Sequence, residues 1–264
     1  LLNPNTRTCP IFRSQRDADI SKAAYSRVPI LSADRGVQDQ DSWRFDSMLM
    51  FMMNTASHLF RTAVQLASDG WARDTRRFVK SGNEYRPLYE AKMIHQFDHR
   101  WMTYRGIQSQ GLSIDAKKDP ATAVIPRYWM PYQEVVVRLD GRWDRQWLAG
   151  WRDICRSTDE RTMIASVFPL AAVPGELTLI LGDARQGELR VLLANLNSFI
   201  LDYIARQKVG GIHLKTFTIR QLPVLPPGRY ERESSFVSDQ TLEDWVLPRV
   251  LELTYTAWDL EPFA

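Results

Sequence analysis

Residues 192–227 constrain this chain more than any other stretch. They run Leu-Leu-Ala-Asn-Leu-Asn-Ser-Phe-Ile-Leu-Asp-Tyr-Ile-Ala-Arg-Gln-Lys-Val-Gly-Gly, then Ile-His-Leu-Lys, and close on Gln-Leu-Pro-Val-Leu-Pro-Pro. An apolar helical pattern ends in a basic cluster and meets a double glycine. A short strand pattern with a proline stop follows. Between Ile204 and Arg220 the charges are Arg206, Lys208, Lys215 and Arg220, with His213 and no acid. The glycines Gly210 and Gly211 allow a backbone to come close to a ligand. Framed by cations, such a stretch suits a polyanion such as DNA.

Size and charge set the wider bounds. The chain has 264 residues, enough for one large domain or two small ones with real cores. A formal net charge of +3 is too small to argue for nucleic acid by itself, so the distribution of charge matters more than its sum. Cys9 and Cys155 are the only cysteines. Two distant cysteines form neither a disulfide framework nor a zinc site, and a reducing cytoplasm is the expected setting. The longest apolar run, residues 48–53, is too short to cross a bilayer, so no membrane partner is expected. The sequence starts without Met in a loop-like Leu-Leu-Asn-Pro-Asn-Thr, and is expected to be a piece of a longer protein.

Periodicity predicts an α+β fold: a mixed β-rich recognition core, flanking helices and a helical N-terminal part. Helices are expected over residues 14–27, limited by Pro29, and over 55–69, capped by Thr55 or Ser57 and ended by Gly70. A loop rich in Asp, Arg and Gln reaches Asp41, and residues 43–53 read as a buried strand or irregular core segment. Strands are expected over 133–139, 147–154, 162–168, 177–181 and 219–225. A helix over 189–196 breaks at Asn197-Ser198, and Ser198 caps a second helix to about Gln207. An acidic C-terminal segment ends in a closing helix over 242–260. The expected organisation is 1–86 as an N-terminal part, 87–230 as a recognition domain, and 231–264 as the acidic helical segment.

Three clusters carry chemistry. Residues 71–105 interleave Arg73, Arg76, Arg77, Lys80, Arg86, Lys92, Arg100 and Arg105 with Tyr85, Tyr89, Phe97, Trp101 and Tyr104. Cations with aromatics serve phosphate contact and base stacking, though a solvated basic face beside an aromatic core shows the same pattern. Within this run His95 and His99 are four residues apart, which on a helix would present both to one metal. No spacing supplies a third ligand, and hydrogen-bonding or phosphate-contacting histidines are the better reading. Glu90-Ala91-Lys92 has the E-x-K spacing of a magnesium-dependent nuclease, with Asp74 as a second carboxylate. The three-residue pattern is common by chance, and a structural Glu-Lys pair is the default reading. Finally, Arg152, Arg156 and Arg161 surround a tight polar turn, either as readers of guanine and phosphate or as part of an internal Arg-carboxylate network. Neither G-x-G-x-x-G nor a P-loop occurs.

Five segments in order carry a resemblance: residues 3–14, Ser-His-Leu-Phe-Arg-Thr at 57–62, Tyr-Glu-Ala-Lys-Met-Ile-His-Gln-Phe-Asp-His-Arg at 89–100, the 152–162 turn, and 193–227. Together they resemble the C-terminal region of adenine-specific DNA methyltransferases of type II restriction-modification and related phage-defence systems. That region holds a TaqI-like specificity domain, similar also to the recognition subunits of type I enzymes. The resemblance implies a target-recognition domain for double-stranded DNA. In that family the catalytic domain that binds S-adenosylmethionine lies upstream and flips the adenine. No catalytic or cofactor motif stands in this chain, so the cofactor would belong to the parent enzyme. The expected DNA contacts are Lys92, His95, Gln96, His99 and Arg100, then Arg152, Arg156 and Arg161, then Lys208, Gly210, Gly211, His213 and Lys215. A protein-interaction scaffold in a defence complex is the alternative, and a nuclease using Asp74, Glu90 and Lys92 a further one.

Overall fold

The structure, a computed structural model, describes residues 2–5, 7, 12–33, 43–74, 76–182 and 186–264. Cys9 and the expected loop over 34–41 lie outside the described residues. The protein is α+β with a β-rich core, as the periodicity predicts. It divides into two compact units: Leu1–Asp46, Asp153–Ile164 and Gly182–Glu252 form one, and Ser47–Arg152, Ala165–Leu181 and Leu253–Ala264 the other. These boundaries differ from those expected at 86/87 and 230/231, because the chain passes between the units repeatedly.

The second unit holds the sheets. Its strands are β1 (Asp46–Met48), β2 (Ala72–Asp74), β3 (Arg77–Lys80), β4 (Asn83–Pro87), β5 (Met102–Arg105), β6 (Gln108–Gly111), β7 (Trp129–Pro131), β8 (Trp147–Arg152), β9 (Ala165–Pro169) and β10 (Leu177–Leu181). One sheet has the order β1-β10-β8-β9, a second β2-β3-β4-β7, and β5 and β6 form a separate pair. In β8, β9 and β10 nearly every residue is buried, so these strands read as continuous apolar runs rather than alternating ones. Leu148, Phe168, Leu177 and Leu179 pack into one cluster with Phe51, Leu88, Met93 and Met130. Gly150 sits where β8 meets β10, and a Cβ there would stand 2.6 Å from the Thr178 carbonyl oxygen. Only glycine fits that approach.

The β3–β4 hairpin turns on Ser81 and Gly82, with Lys80 opposite Asn83. Both turn residues have positive φ, 49° and 79°. That is the signature of a type I′ turn, which favours Asn-Gly. Ser81 carries the left-handed backbone without glycine's freedom. Ser81→Asn is expected to stabilise the protein by about 0.5–1 kcal/mol, read as a higher urea midpoint at unchanged slope.

Three expectations are corrected. Residues 133–139 are not a strand but lie in a helix, Tyr132–Leu139. Val135 and Leu139, four apart, are buried, Val137 is exposed, and Glu134 pairs with Arg138 at 2.7 Å. Helical burial and an i,i+4 ion pair override the β preference of three valines. Residues 219–225 begin in a helix, Thr216–Arg220, and continue as an extended run whose Val224 N–H donates to the Pro29 carbonyl. The 55–69 helix is split into Met53–Ala56, a 3-10 turn Ser57–Leu59, and Ala63–Ser68. Arg61 interrupts it by exchanging two backbone hydrogen bonds with Trp129, and Thr62 rather than Thr55 or Ser57 caps the last piece through a capping box with Gln65. Within the N-terminal part, residues 72–87 supply β2, β3 and β4.

The first unit is helical. Ser14 caps Gln15–Arg27, and Ser198 caps Phe199–Lys208 by accepting from the Leu201 N–H at 3.3 Å. Gln186–Leu196 precedes it. The closing helix runs over Leu242–Thr254 and stops short of the expected 260. A 3-10 turn, Trp258–Phe263, follows in the second unit. Among the described residues no helix is long and apolar enough to cross a membrane.

Candidate nucleic-acid interface

In the first unit the arginine-rich turn and the glycine loop lie side by side. Cys155 donates its N–H to the Ile212 carbonyl at 3.1 Å, and Leu214 donates to the Asp153 carbonyl at 2.7 Å. This short antiparallel ladder brings Asp153 beneath the basic loop. Its side chain is only 3% exposed, and its Oδ2 accepts from His213 Nδ1 and from Lys215 Nζ, both at 2.7 Å. The His213 and Lys215 side chains are each 45% exposed, so the carboxylate holds their polar ends while both stay open to solvent. Asp153 Oδ1 is buried without a hydrogen-bond partner. Arg156 on the same ladder is exposed, as are Gly210 and Gly211.

The two glycines differ from Gly150. Neither has a positive φ, and a Cβ at either position would meet nothing within 4 Å. Neither backbone conformation nor internal packing calls for glycine here.

A second buried carboxylate fixes the same turn from behind. Asp202 accepts from the backbone N–H groups of Thr162 and Met163 at 2.7 and 2.8 Å and from Arg206 Nε at 2.9 Å. Arg206 also donates to the Ser157 carbonyl at 3.1 Å and to the Glu160 carbonyl. Arg161 lies over the Phe199 ring at 3.9 Å, close to Asp202. Cys155 is buried within this frame, and burial with the nearby acids Asp153, Asp159 and Asp202 pushes its thiol up to about 11. It is a packing residue, not a nucleophile.

Lys208 turns inward. Its ammonium donates to the Leu2 carbonyl at 2.6 Å and to Asn3 Oδ1, and lies 4.9 Å from the centre of the Tyr25 ring. Burial lowers its pKa to about 8. It anchors the start of the chain, and its donors are spent there rather than on an external phosphate.

In the second unit the histidine segment is not helical. Ala91–Met93 is a 3-10 turn, and His95 and Asp98 exchange two backbone hydrogen bonds around Gln96 and Phe97. Phe97 has φ 60°, strained for an aromatic residue. His95 lies against the exposed Trp101, with the rings tilted by 33° and their centres 4.4 Å apart. Lys117 lies over the same ring at 5.2 Å and pairs with Asp98 at 2.6 Å. Gln96 is half-buried on this turn, and Lys92 is 44% exposed with its ammonium 5.0 Å from the Tyr104 ring centre.

His99 and Arg100 do not belong to any surface. Both are fully buried. His99 Nε2 meets Asp259 Oδ1 at 2.9 Å. Burial pushes the Asp259 carboxyl up, but the hydrogen bond and charge of His99, with Arg76 and Arg100 nearby, outweigh it and hold the group below its usual 3.8. Arg100 donates to the carbonyls of Lys117, Asp119, Thr122 and Thr256 at 2.7–3.0 Å. Arg152 likewise donates to the carbonyls of Ala91, Lys92 and Ile94. Direct DNA contact by His99 and Arg100 is therefore corrected: the aromatic-rich core encloses them.

Each residue of the expected E-x-K constellation has an internal partner. Glu90 is 8% exposed and accepts from the Tyr104 hydroxyl at 2.7 Å, with Lys92 at 3.7 Å. Asp74 is bound by Arg77 at 2.8 Å. Among the described residues no group of three or more His, Cys, Asp or Glu could hold a metal ion.

Sequence reasoning missed Asp153 and Asp202 as organisers and Lys117 as a partner of Trp101. Asp153 stood in a noted motif, but its partners lie 60 and 62 residues away. No local signal in one sequence pairs them. No family model matches the chain, and no curated protein matches it.

Proposed function

We propose that this chain is the double-stranded DNA recognition module of an adenine-specific DNA methyltransferase from a restriction-modification or phage-defence system, working in the cytoplasm. It binds duplex DNA and offers the target adenine to an upstream catalytic domain that uses S-adenosylmethionine. The observation that carries this reading is the glycine loop. Gly210 and Gly211 have no internal reason to be glycine. They sit beside His213 and Lys215, which Asp153 pre-orients, and on the same ladder as exposed Arg156. A phosphate backbone can come close to such a loop and meet positioned donors. In the second unit Trp101, 42% exposed, offers an aromatic ring, a group suited to base stacking.

The chain's part in this scheme is positioning. Lys215 and Arg156 take phosphates and set the register, and a few polar side chains read bases. Arg156→Ala and Lys215→Ala are each expected to reduce the slope of log affinity against log salt by about 0.9. Gel-shift titration of duplex DNA at several salt concentrations measures it. Absence of a shifted complex, or a slope that both variants leave unchanged, rejects the proposal.

Exposed apolar residues of the first unit favour a second reading. Phe199 is 75% exposed, Phe217 62% and Ile200 61%. As a protein-interaction scaffold, the chain would bind its partner equally well after nuclease treatment and would give no shift with DNA alone.

A further inference from the structure

The second unit carries a cavity that the DNA reading does not use. Its volume is about 330 Å³, within the range of roughly 300–1,000 Å³ of small-molecule sites. Arg76, Arg86, Gln146, Trp258, Asp259 and Glu261 contribute to its lining. Arg76, between β2 and β3, and Arg86, on β4, also line a neighbouring open cavity of about 260 Å³. Two guanidinium groups thus stand together where both cavities reach them.

Arg76 is incompletely satisfied. Its Nε is buried without a hydrogen-bond partner. Its nearest carboxylate oxygen, on Asp259, is 3.7 Å away, beyond hydrogen-bond reach, and Asp259 is already held by His99. Arg86 spends Nε and Nη2 on Glu84 at 2.9 and 3.4 Å, which leaves Nη1. A half-buried guanidinium with unspent donors is a site for an anion that can accept two hydrogen bonds at once. Trp258 is 57% exposed at the same cavity, an aromatic face open to stacking. Glu261 is an exposed carboxylate on the same lining, and a carboxylate accepts from the exocyclic amine of a base.

We propose that this cavity binds a nucleoside monophosphate with an amino-bearing base. The phosphate sits on Arg76 and Arg86, the base stacks on Trp258, and its amine points to Glu261. This assignment is independent of duplex binding, since the residues involved lie outside the glycine loop and the histidine turn.

Titration calorimetry of the whole chain with AMP, adenosine and inorganic phosphate tests it. AMP is expected to bind saturably, with adenosine and inorganic phosphate each at least about tenfold weaker. Arg76→Gln and Trp258→Leu are each expected to weaken AMP by about tenfold or more, and Arg76→Lys by less than Arg76→Gln. Thermal melts establish that the variants are folded. Trp258 is largely exposed, so its variant carries the test if Arg76→Gln fails to fold. No binding up to about 1 mM AMP overturns the proposal. So does AMP affinity that the folded variants leave unchanged. Inorganic phosphate binding as tightly as AMP overturns it too, since the cavity would then hold only an anion.

Discussion

Asp202→Ala is expected to destabilise the protein by about 3–5 kcal/mol, as removal of one member of a buried charged network does. The carboxylate is 5% exposed and serves three donors. Two are backbone N–H groups of Thr162 and Met163, which bond the same carboxylate oxygen. The third is Arg206, whose guanidinium ties the same carboxylate to the carbonyls of the 157–160 turn. Alanine leaves two amides and one cation uncompensated. Asp202→Asn keeps one acceptor oxygen and loses the charge, so an intermediate loss is expected. Urea unfolding followed by circular dichroism measures both. A loss below about 1 kcal/mol for alanine would mean that the two amides find other partners. The same variant reaches function. Under the proposed function, Asp202 fixes the segment that carries Asp153 and Arg156, so a fall in duplex affinity is the expected result for this variant as well.

That coupling also explains which parts of the molecule a single sequence reveals. Ser198 could be read as a cap because a cap is local: a side chain bonds an amide three residues on. β10 was legible because four apolar residues, Leu177, Leu179, Ile180 and Leu181, stand between Pro174-Gly175 and Gly182. The helix Tyr132–Leu139 was not, because three valines argue for a strand until the burial of Val135 and Leu139 is known. Charge was legible as composition but not as pairing. Lys215 finds its acid 62 residues away, and His99 finds Asp259 160 residues away. Cations that look alike in sequence therefore divide into those that face water, such as Arg156, and those that hold the fold, such as Arg100 and Lys208. The two units were invisible for the same reason. The chain enters and leaves each one at points such as 152/153 and 164/165, where composition does not change.

Arg100→Ala puts that division to its hardest test, with an expected loss of at least about 4 kcal/mol, the range reserved for broken buried networks. One fully buried guanidinium bonds four carbonyls drawn from two separate stretches of chain, at residues 117–122 and at 256. Alanine leaves those oxygens facing a cavity that no other donor fills. Arg100→Lys is expected to recover only part of the loss. An ammonium has three donors at a single point and cannot span carbonyls on both sides of a planar fork. Arg156→Ala is the opposite case: stability within about 0.5 kcal/mol of the parent, with the change confined to the salt dependence of duplex binding. A melting temperature that Arg100→Ala leaves unmoved, together with a loss of DNA affinity, would place Arg100 at the surface and reverse the assignment. The two variants together thus separate a cation that organises the protein from one that meets a polyanion, a distinction that net charge alone cannot make.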